Sequence, residues 1–551
     1  MLSKKCFKYF LLYIQKILIS LSFLITLTQI VCAQVNQEWV SLYDRTGNGN
    51  LGIIAMKTDN AGNIYITGAT YFTQFSPDYV TIKYNSAGVQ QWTATYNGPG
   101  NFNDEPSSIA IDLAGNVYVT GGSYGNNSNY DYATIKYNSS GVEQWVARYN
   151  GSGNNIDEAT SIAVDNSGSV YVTGWSRGSN SNDDYVTIKY NSSGVQQWVA
   201  LYNGPANSSD QASSLIVDQS GNIYVTGGSV TSGKFVDCVT IKYNSAGVQQ
   251  WRAVYDGAVN QPETGKFVGL DIAGNVYVTG SSFDTTTGPD ILTIKYNSSG
   301  IEQWVRKYNR TGNMIDEAAG MVVDGLGNTY ITGNSVDDYI TLKYNSAGVQ
   351  QWASFYNGTG NFIDEAKSIA TDKIGNVYVT GESLLTGSTS EFATLKYNSN
   401  GTQQWIKKYS GTGMFFNRVP ILSADTSGNV VISGISNGIN NSSYYTTIKY
   451  SQFVGISPVS SNLPSGFSLS QNYPNPFNPS TKINFSLPFK TLVKLSVFNS
   501  LGKEVSSLVN ENLPAGNYEY QFNAENYPSG IFFYKLETES FTETRKMILL
   551  K

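Results

Sequence analysis

Short runs of alternating apolar and polar residues, four to a unit, recur along most of the chain. In the unit that begins at Ser161, "SIAVDNSGSVYVTGWSRGSNSNDDYVTIKYNSSGVQQWVALYNG", they cover residues 161–164, 170–173, 185–190 and 195–202. Each has the length and β-branched content of a strand. The links "DNSGS" and "NSSG" read as tight turns in which Gly takes the positive φ a hairpin requires. The other two links are longer and rich in Gly, Asn and Asp. In the second run Val170, Tyr171 and Val172 are all apolar or aromatic, so both faces of that strand must be covered by neighbouring units.

The unit repeats at a fixed period. Trp39, Trp92, Trp145, Trp198, Trp251, Trp304, Trp352 and Trp405 stand 53 residues apart, with one interval of 48 between Trp304 and Trp352. Gly62, Gly115, Gly168, Gly221, Gly274, Gly327, Gly375 and Gly428 keep the same register. Four-stranded units of this length, written eight times, predict an all-β fold of the propeller type. The phase adds a closure: the chain enters with a lone fourth run around Trp39, and after the first three runs of the last unit no Trp follows Tyr450. The expectation is an eight-bladed β-propeller over residues 34–452, closed by the N-terminal strand, which completes the blade of residues 420–450. A linear solenoid would leave Trp39 without a sheet and would need polar caps. The eight tryptophans read as staples between blades.

Composition narrows the chemistry. Residues 1–33 read as a secretion signal: Lys4, Lys5, Lys8 and Lys16 precede an apolar stretch, and Val31-Cys32-Ala33 has the small residue a signal peptidase needs. No later segment is long and apolar enough to span, so no membrane span is expected in the mature chain. Without those four lysines, 31 basic residues face 41 acidic ones, which disfavours nucleic acid as a partner. Cys238 is then the only cysteine, so no internal disulfide forms. The chain contains no histidine, which removes histidine triads, imidazole bases and the common zinc sites.

After residue 452 the repeat gives way to a Ser- and Pro-containing linker, residues 453–466, and to a tail, residues 467–551, whose alternating runs suggest a small C-terminal β-sandwich. The phrases "DxxGNxYxTG" and "TIKYNSxGxxQW" resemble the SBBP type of bacterial β-propeller repeat, over about residues 36–452. "YNSSGxxQW" is also similar to the tryptophan-docking motif of eight-bladed quinone-dependent dehydrogenases, but no adjacent cysteine pair accompanies it and no cofactor is expected. In the tail, "NYPNPFNPSTKINFSLP", "VKLSVFNSLGKEV", "LPAGNYEYQFNA" and "YPSGIFFYKLET" resemble the type A C-terminal sorting domain of the type IX secretion system. The closing "RKMILLK", with Arg545, Lys546 and Lys551, matches that family's basic end. The resemblance implies that the tail is read by the secretion machinery and that the chain is exported across both membranes, to be secreted or held at the cell surface.

Two sets of side chains could carry chemistry. Eight residues before each turn aspartate stand Asp104, Asp157, Asp210, Glu263, Asp316 and Asp364, with Asn417 and Leu51 breaking the series. They would form an acidic ring at the mouth of the central channel, or else cap their strands by accepting backbone N–H bonds. The ring reading would give a cation or polyol site. Oxygen ligands abound, so the composition is compatible with calcium, although no DxDxDG loop specifies it. The lysines Lys83, Lys136, Lys189, Lys242, Lys295, Lys343, Lys396 and Lys449 are expected to reach the turn aspartates Asp59, Asp112, Asp165, Asp218, Asp271, Asp324, Asp372 and Asp425. Paired acids such as Asp157 and Glu158 recur at equivalent positions, whereas an active site needs a unique constellation. The sequence therefore points to a non-enzymatic binding or interaction scaffold for extracellular glycan or protein, with a polysaccharide-active hydrolase or lyase, or a structural surface-layer component, as the alternatives.

Overall fold

The computed structural model describes residues 35–44, 52–71, 76–126, 129–179, 182–231, 235–257, 261–310, 315–386, 389–411, 418–425, 428–437, 443–452, 457–460, 464, 466–513, 515–524 and 527–551. The expected secretion signal, Leu51 and Asn417 lie outside them. Among the described residues every regular element is a strand, and no helix is long and apolar enough to cross a membrane. The chain falls into two compact units, Asn36–Ser451, and Met1–Val35 with Gln452–Lys551.

The first unit is a series of eight four-stranded antiparallel sheets. In the sheet built from the sequence around Ser161 the strands are Asp157–Val164, Val170–Arg177, Asp183–Tyr190 and Gln196–Tyr202, hydrogen-bonded in chain order. Its first turn is set by Asp165, whose Oδ1 accepts the N–H groups of Ser167 and Ser169 at 2.8 and 2.9 Å. A bulge interrupts the first strand between Ala159 and Ser161. It frees the Thr160 hydroxyl to donate to the Ala212 carbonyl of the next sheet at 2.9 Å. The second strand is buried over Val170–Gly174 because the neighbouring sheets cover both its faces. Tyr118 and Tyr132 of one sheet share a core cluster with Val170, Val172 and Val186 of the next.

The last sheet departs from chain order. Val35–Asp44 lies beside Ser443–Gln452, followed by Val430–Asn437 and Arg418–Ala424. Each sheet's first strand packs against those of its two neighbours, and Arg418–Ala424 packs against Ile53–Thr58 of the first sheet. Ile53, Ile66, Val431, Ile435 and Tyr445 form one cluster across this junction. The Tyr445 hydroxyl donates to the Ala69 carbonyl at 2.5 Å, and the Thr58 and Ser423 hydroxyls meet at 2.7 Å.

The tryptophans dock on the following sheet. Trp145 lies against Gly194, leaving no room for a Cβ there, and its indole N–H donates to the Ser192 carbonyl at 3.1 Å. The same bond joins Trp92 to Ser139 at 3.1 Å and Trp352 to Ser399 at 3.1 Å. Trp39 makes it to Ser86 at 3.2 Å. The Trp405 Nε1 has no hydrogen-bond partner among the described residues. Lys83, Lys136, Lys189, Lys295, Lys343 and Lys449 reach a carbonyl of the following sheet, not a turn aspartate. Lys136 Nζ donates to the same Ser192 carbonyl at 3.1 Å and sits 5.2 Å from the Tyr118 ring centroid. The aspartate is already satisfied locally: Asp112 takes the Asn116 N–H and amide, the Ala114 N–H and the Tyr118 hydroxyl. The lysine thus sits over the ring of the tyrosine whose hydroxyl the aspartate accepts.

In the tail, two four-stranded sheets enclose one core that includes Phe477, Ile483, Phe485, Leu495, Val497, Tyr534 and Met547. One sheet contains Ser480–Leu487 and Gly516–Asn523, the other Thr491–Asn499 and Gly530–Glu537. Within the expected linker, Ser457–Ser460 forms an edge strand on Gly516–Asn523. Pro458 is compatible with an edge, where one row of N–H groups needs no partner.

Candidate functional site

Antiparallel order places both long links of every sheet at one end, and the starts of the first and third strands point into that loop face. Asp104, Asp157, Asp210, Glu263, Asp316 and Asp364 all head first strands there, and all are fully buried. Their carboxylates turn back on the preceding link. Asp104 Oδ2 accepts the Gly98 N–H at 2.5 Å, Asp157 Oδ2 the Gly151 N–H at 2.7 Å and Asp316 Oδ2 the Arg310 N–H at 2.8 Å. Asp210 and Asp364 accept the N–H groups of Gly204 and Gly358. A buried carboxylate that accepts loop N–H bonds pins the loop. Burial still raises the pKa of Asp104, Asp157, Asp210, Glu263 and Asp364, with the hydrogen bonds opposing it.

The third strands bring a second set of acids that the sequence reading did not single out. Asp78, Asp131, Asp237, Asp290, Asp338 and Glu391 are buried at or near the starts of their third strands. Their signal is the acid at the start of the third run, before an aromatic residue in phrases such as "DYVTIKY" and before Cys238 or Ile291 in two repeats. Several have basic partners: Arg148 meets Asp131 at 2.9 Å, Arg310 meets Asp338 at 2.6 Å and Lys408 meets Glu391 at 2.6 Å. Asp78 has none among the described residues. Burial, and then the charge of Asp104 on the next sheet, push its carboxyl up to about 6.

A folded-state pKa above the unfolded value of about 4 means that the native state binds the proton more tightly. Stability from this pair is therefore highest at low pH, falls between about pH 4 and 6, and stays reduced above that window. Asp78→Asn should raise the unfolding temperature by a few degrees at pH 7.5, with the gain shrinking toward zero at pH 4. Thermal melts at the two pH values check this, and an unchanged or lower melting temperature at pH 7.5 would sink it.

One residue beyond the buried set stand exposed acids, Glu105, Glu158 and Glu317. Glu158 is raised first by the surrounding protein and then by Glu105 on the neighbouring sheet. Beside Glu105 and Glu158, Phe102 packs on Tyr124 at 5.0 Å between centroids, and Tyr124 on Tyr130 at 5.5 Å. Phe102 is 60 % exposed. Trp175, the one tryptophan outside the repeat series, pairs with Glu158 in strand register and carries the Arg177 guanidinium 5.5 Å from its ring centroid. Cys238 is a buried free thiol, and burial pushes it up to about 12. It is thus protonated at neutral pH and is no nucleophile.

In the tail, Arg545 and Lys546 lie on the strand Thr542–Leu549, with Arg545 paired to Glu543 at 2.6 Å. Lys546 and Lys551 are exposed, and the Lys546 carbonyl accepts the Gln471 amide at 2.7 Å. The family described as secretion system C-terminal sorting domain matches residues 471–550. The chain carries this sorting domain. Ahead of it, the beta-propeller repeat family described as SBBP matches residues 91–127, 144–180 and 197–229. The sorting domain directs the chain through the type IX secretion system to the cell surface or extracellular space, and its partner there is the secretion machinery.

More distant likenesses are modest. An uncharacterized WD repeat-containing protein of Acanthamoeba polyphaga mimivirus is 24 % identical over 278 residues, or 42 % of this chain and 18 % of that protein. PorZ, a surface component of the type IX secretion system of Porphyromonas gingivalis, shares 12 % identity, with 89 % of this chain and 68 % of that one covered and a TM-score of 0.38. A fungal alcohol oxidase of the AA5 family, solved with copper, shares 11 % identity, with 94 % and 100 % covered and a TM-score of 0.41.

Proposed function

We propose that the sorting domain exports a closed, eight-bladed propeller that serves as a non-catalytic binding or interaction scaffold for extracellular glycan or protein. Closure is supported by the strand Val35–Asp44 beside Ser443–Gln452 and by the packing of Arg418–Ala424 on Ile53–Thr58. The binding reading rests on one observation: in a single sector of the loop face, the rings of Phe102, Tyr124 and Tyr130 stand near Glu105 and Glu158. Aromatic faces stack on the C–H faces of sugars or on apolar side chains, and carboxylates orient hydroxyl donors. The first-strand acids of six of the eight sheets are buried and spent on holding loops, which leaves them little role in turnover.

The test is a glycan array and a protein pull-down with the purified full chain, alongside a hydrolysis assay on the same sugars. A ligand should be retained without turnover, and Phe102→Ala should weaken it about tenfold, as loss of an interface aromatic does. Cleavage of a bound polysaccharide would favour the hydrolase or lyase reading instead.

A further inference from the structure

One junction between consecutive sheets differs from the others in its charge. Asp237 heads the third strand Asp237–Tyr243, Asp256 follows the fourth strand Gln249–Tyr255, and Glu263 heads the next first strand Glu263–Leu270. One oxygen from each of these three carboxylates lies within 4.8 Å of the others. The middle position is Asn97, Asn150, Asn203, Asn309, Asn357 or Ser410 in other repeats. It is acidic elsewhere only at Asp44, where Leu51 stands in place of the first-strand acid. Glu263 is also the one member of its series that is not aspartate, and its longer side chain reaches farther. Two departures from the repeat thus fall on one junction and build the one such trio among the described residues.

The trio has no counter-charge of the kind its equivalents use. Where Asp131 has Arg148 and Glu391 has Lys408, the residue at the corresponding position of this fourth strand is Val254. No basic side chain forms an ion pair with Asp237, Asp256 or Glu263 among the described residues. Lys307 Nζ stands beside the contact between Gly257 and the Glu263 carboxylate and lowers the Glu263 pKa, without forming an ion pair. Asp237 takes the Thr231 hydroxyl and N–H, and Glu263 Oε1 takes the Ser282 hydroxyl at 3.1 Å. Glu263 is fully buried, and among the described residues its Oε2 has no hydrogen-bond partner, as is true of one oxygen each of Asp157, Asp210, Asp316 and Asp364; only here do two further carboxylates stand close by. An unsatisfied oxygen on a buried carboxylate that has two more carboxylates close by is costly unless a cation joins the group.

We propose that Asp237, Asp256 and Glu263 bind one calcium ion between these two sheets. The donor set is all oxygen, as hard cations require, with no histidine in the chain and a buried, protonated Cys238 beside it. Size separates the hard cations. Oxygens at about 2.3–2.6 Å from calcium can be up to about 5 Å apart, whereas magnesium at about 2.1 Å tolerates only about 4.2 Å. With its oxygens within 4.8 Å of one another, the trio has room for an ion of calcium's size. Asp256 is exposed and the other two are buried, so the ion enters from the loop face and ties the link after one sheet to the start of the next.

The experiment is calorimetric titration of calcium into the EDTA-treated full chain, with thermal melts at matched ionic strength. One calcium should bind with a dissociation constant of about 0.1–1 mM, the range of extracellular modules, and raise the unfolding temperature. Asp256→Asn restores the residue of most other repeats and should fold normally. It should weaken binding about tenfold or more, because affinity follows the number of ligand charges. Absence of binding at about 10 mM calcium, or equal affinity in Asp256→Asn, would overturn the assignment.

Discussion

Deleting residues 36–44 is expected to abolish cooperative folding of the propeller unit, and Trp39→Ala alone to cost about 3 kcal/mol, the lower end for a large aromatic because the ring is only partly buried. The strand supplies the fourth position of the sheet whose other members are Arg418–Ala424, Val430–Asn437 and Ser443–Gln452. Its removal exposes a row of unpaired backbone groups along Ser443–Gln452, an edge that invites association with other chains. It also removes the Trp39 indole from the Ser86 carbonyl, the Glu38 carboxylate from Lys449 at 2.8 Å and the Tyr43 ring from Tyr445 at 6.1 Å. Size-exclusion chromatography and urea unfolding of the two variants provide the measurement. A truncated chain that stays monomeric with the unfolding midpoint of the intact one would defeat the idea that the N-terminal strand latches a ring.

Gly194→Ala should destabilise by about 2–5 kcal/mol. Gly194 has φ +80°, a left-handed conformation that costs an alanine about 1–2 kcal/mol. The new Cβ would also stand 2.6 Å from the Trp145 ring, and overpacking of this kind adds about 1–3 kcal/mol. Gly168→Ala serves as the control. It has φ +78° and its nearest neighbour is the Ser192 Cβ at 3.3 Å, so it carries little beyond the conformational cost. The difference between the two variants measures the docking of tryptophan on the turn of the next sheet. Equal losses in denaturant titration would mean that the indole yields freely and that the contact is no staple.

Much of this architecture was legible because a repeat reports its own errors. Trp39 in phase with Trp405, and the missing fourth run after Tyr450, pointed to the strand pairing that joins Val35–Asp44 to the last sheet. The lysines were misread for a local reason. A lysine beside a turn aspartate suggests an ion pair, but Asn116 and Tyr118 already fill the Asp112 carboxylate, so Lys136 reaches past it to a carbonyl on the next sheet. The third-strand acids went unnoticed because a single Asp before a strand is common in loops, and nothing in the letters says that the neighbouring sheet will bury it.

Strand content, turn positions, the repeated unit and the export tail can be read from the letters alone, because each depends on residues near one another in the chain or on a strict period. Which carboxylates share space follows from the packing of sheet on sheet. Asp78 meets Asp104, and Asp237 meets Asp256 and Glu263, across junctions between consecutive sheets. Burial and counter-charge there depend on what each neighbouring sheet supplies: Arg148 beside Asp131, but Val254 at the corresponding position near Asp237. Electrostatic energy falls off with distance through space, not along the chain, so identical repeats acquire different chemistry where one neighbour brings a cation and another brings an acid.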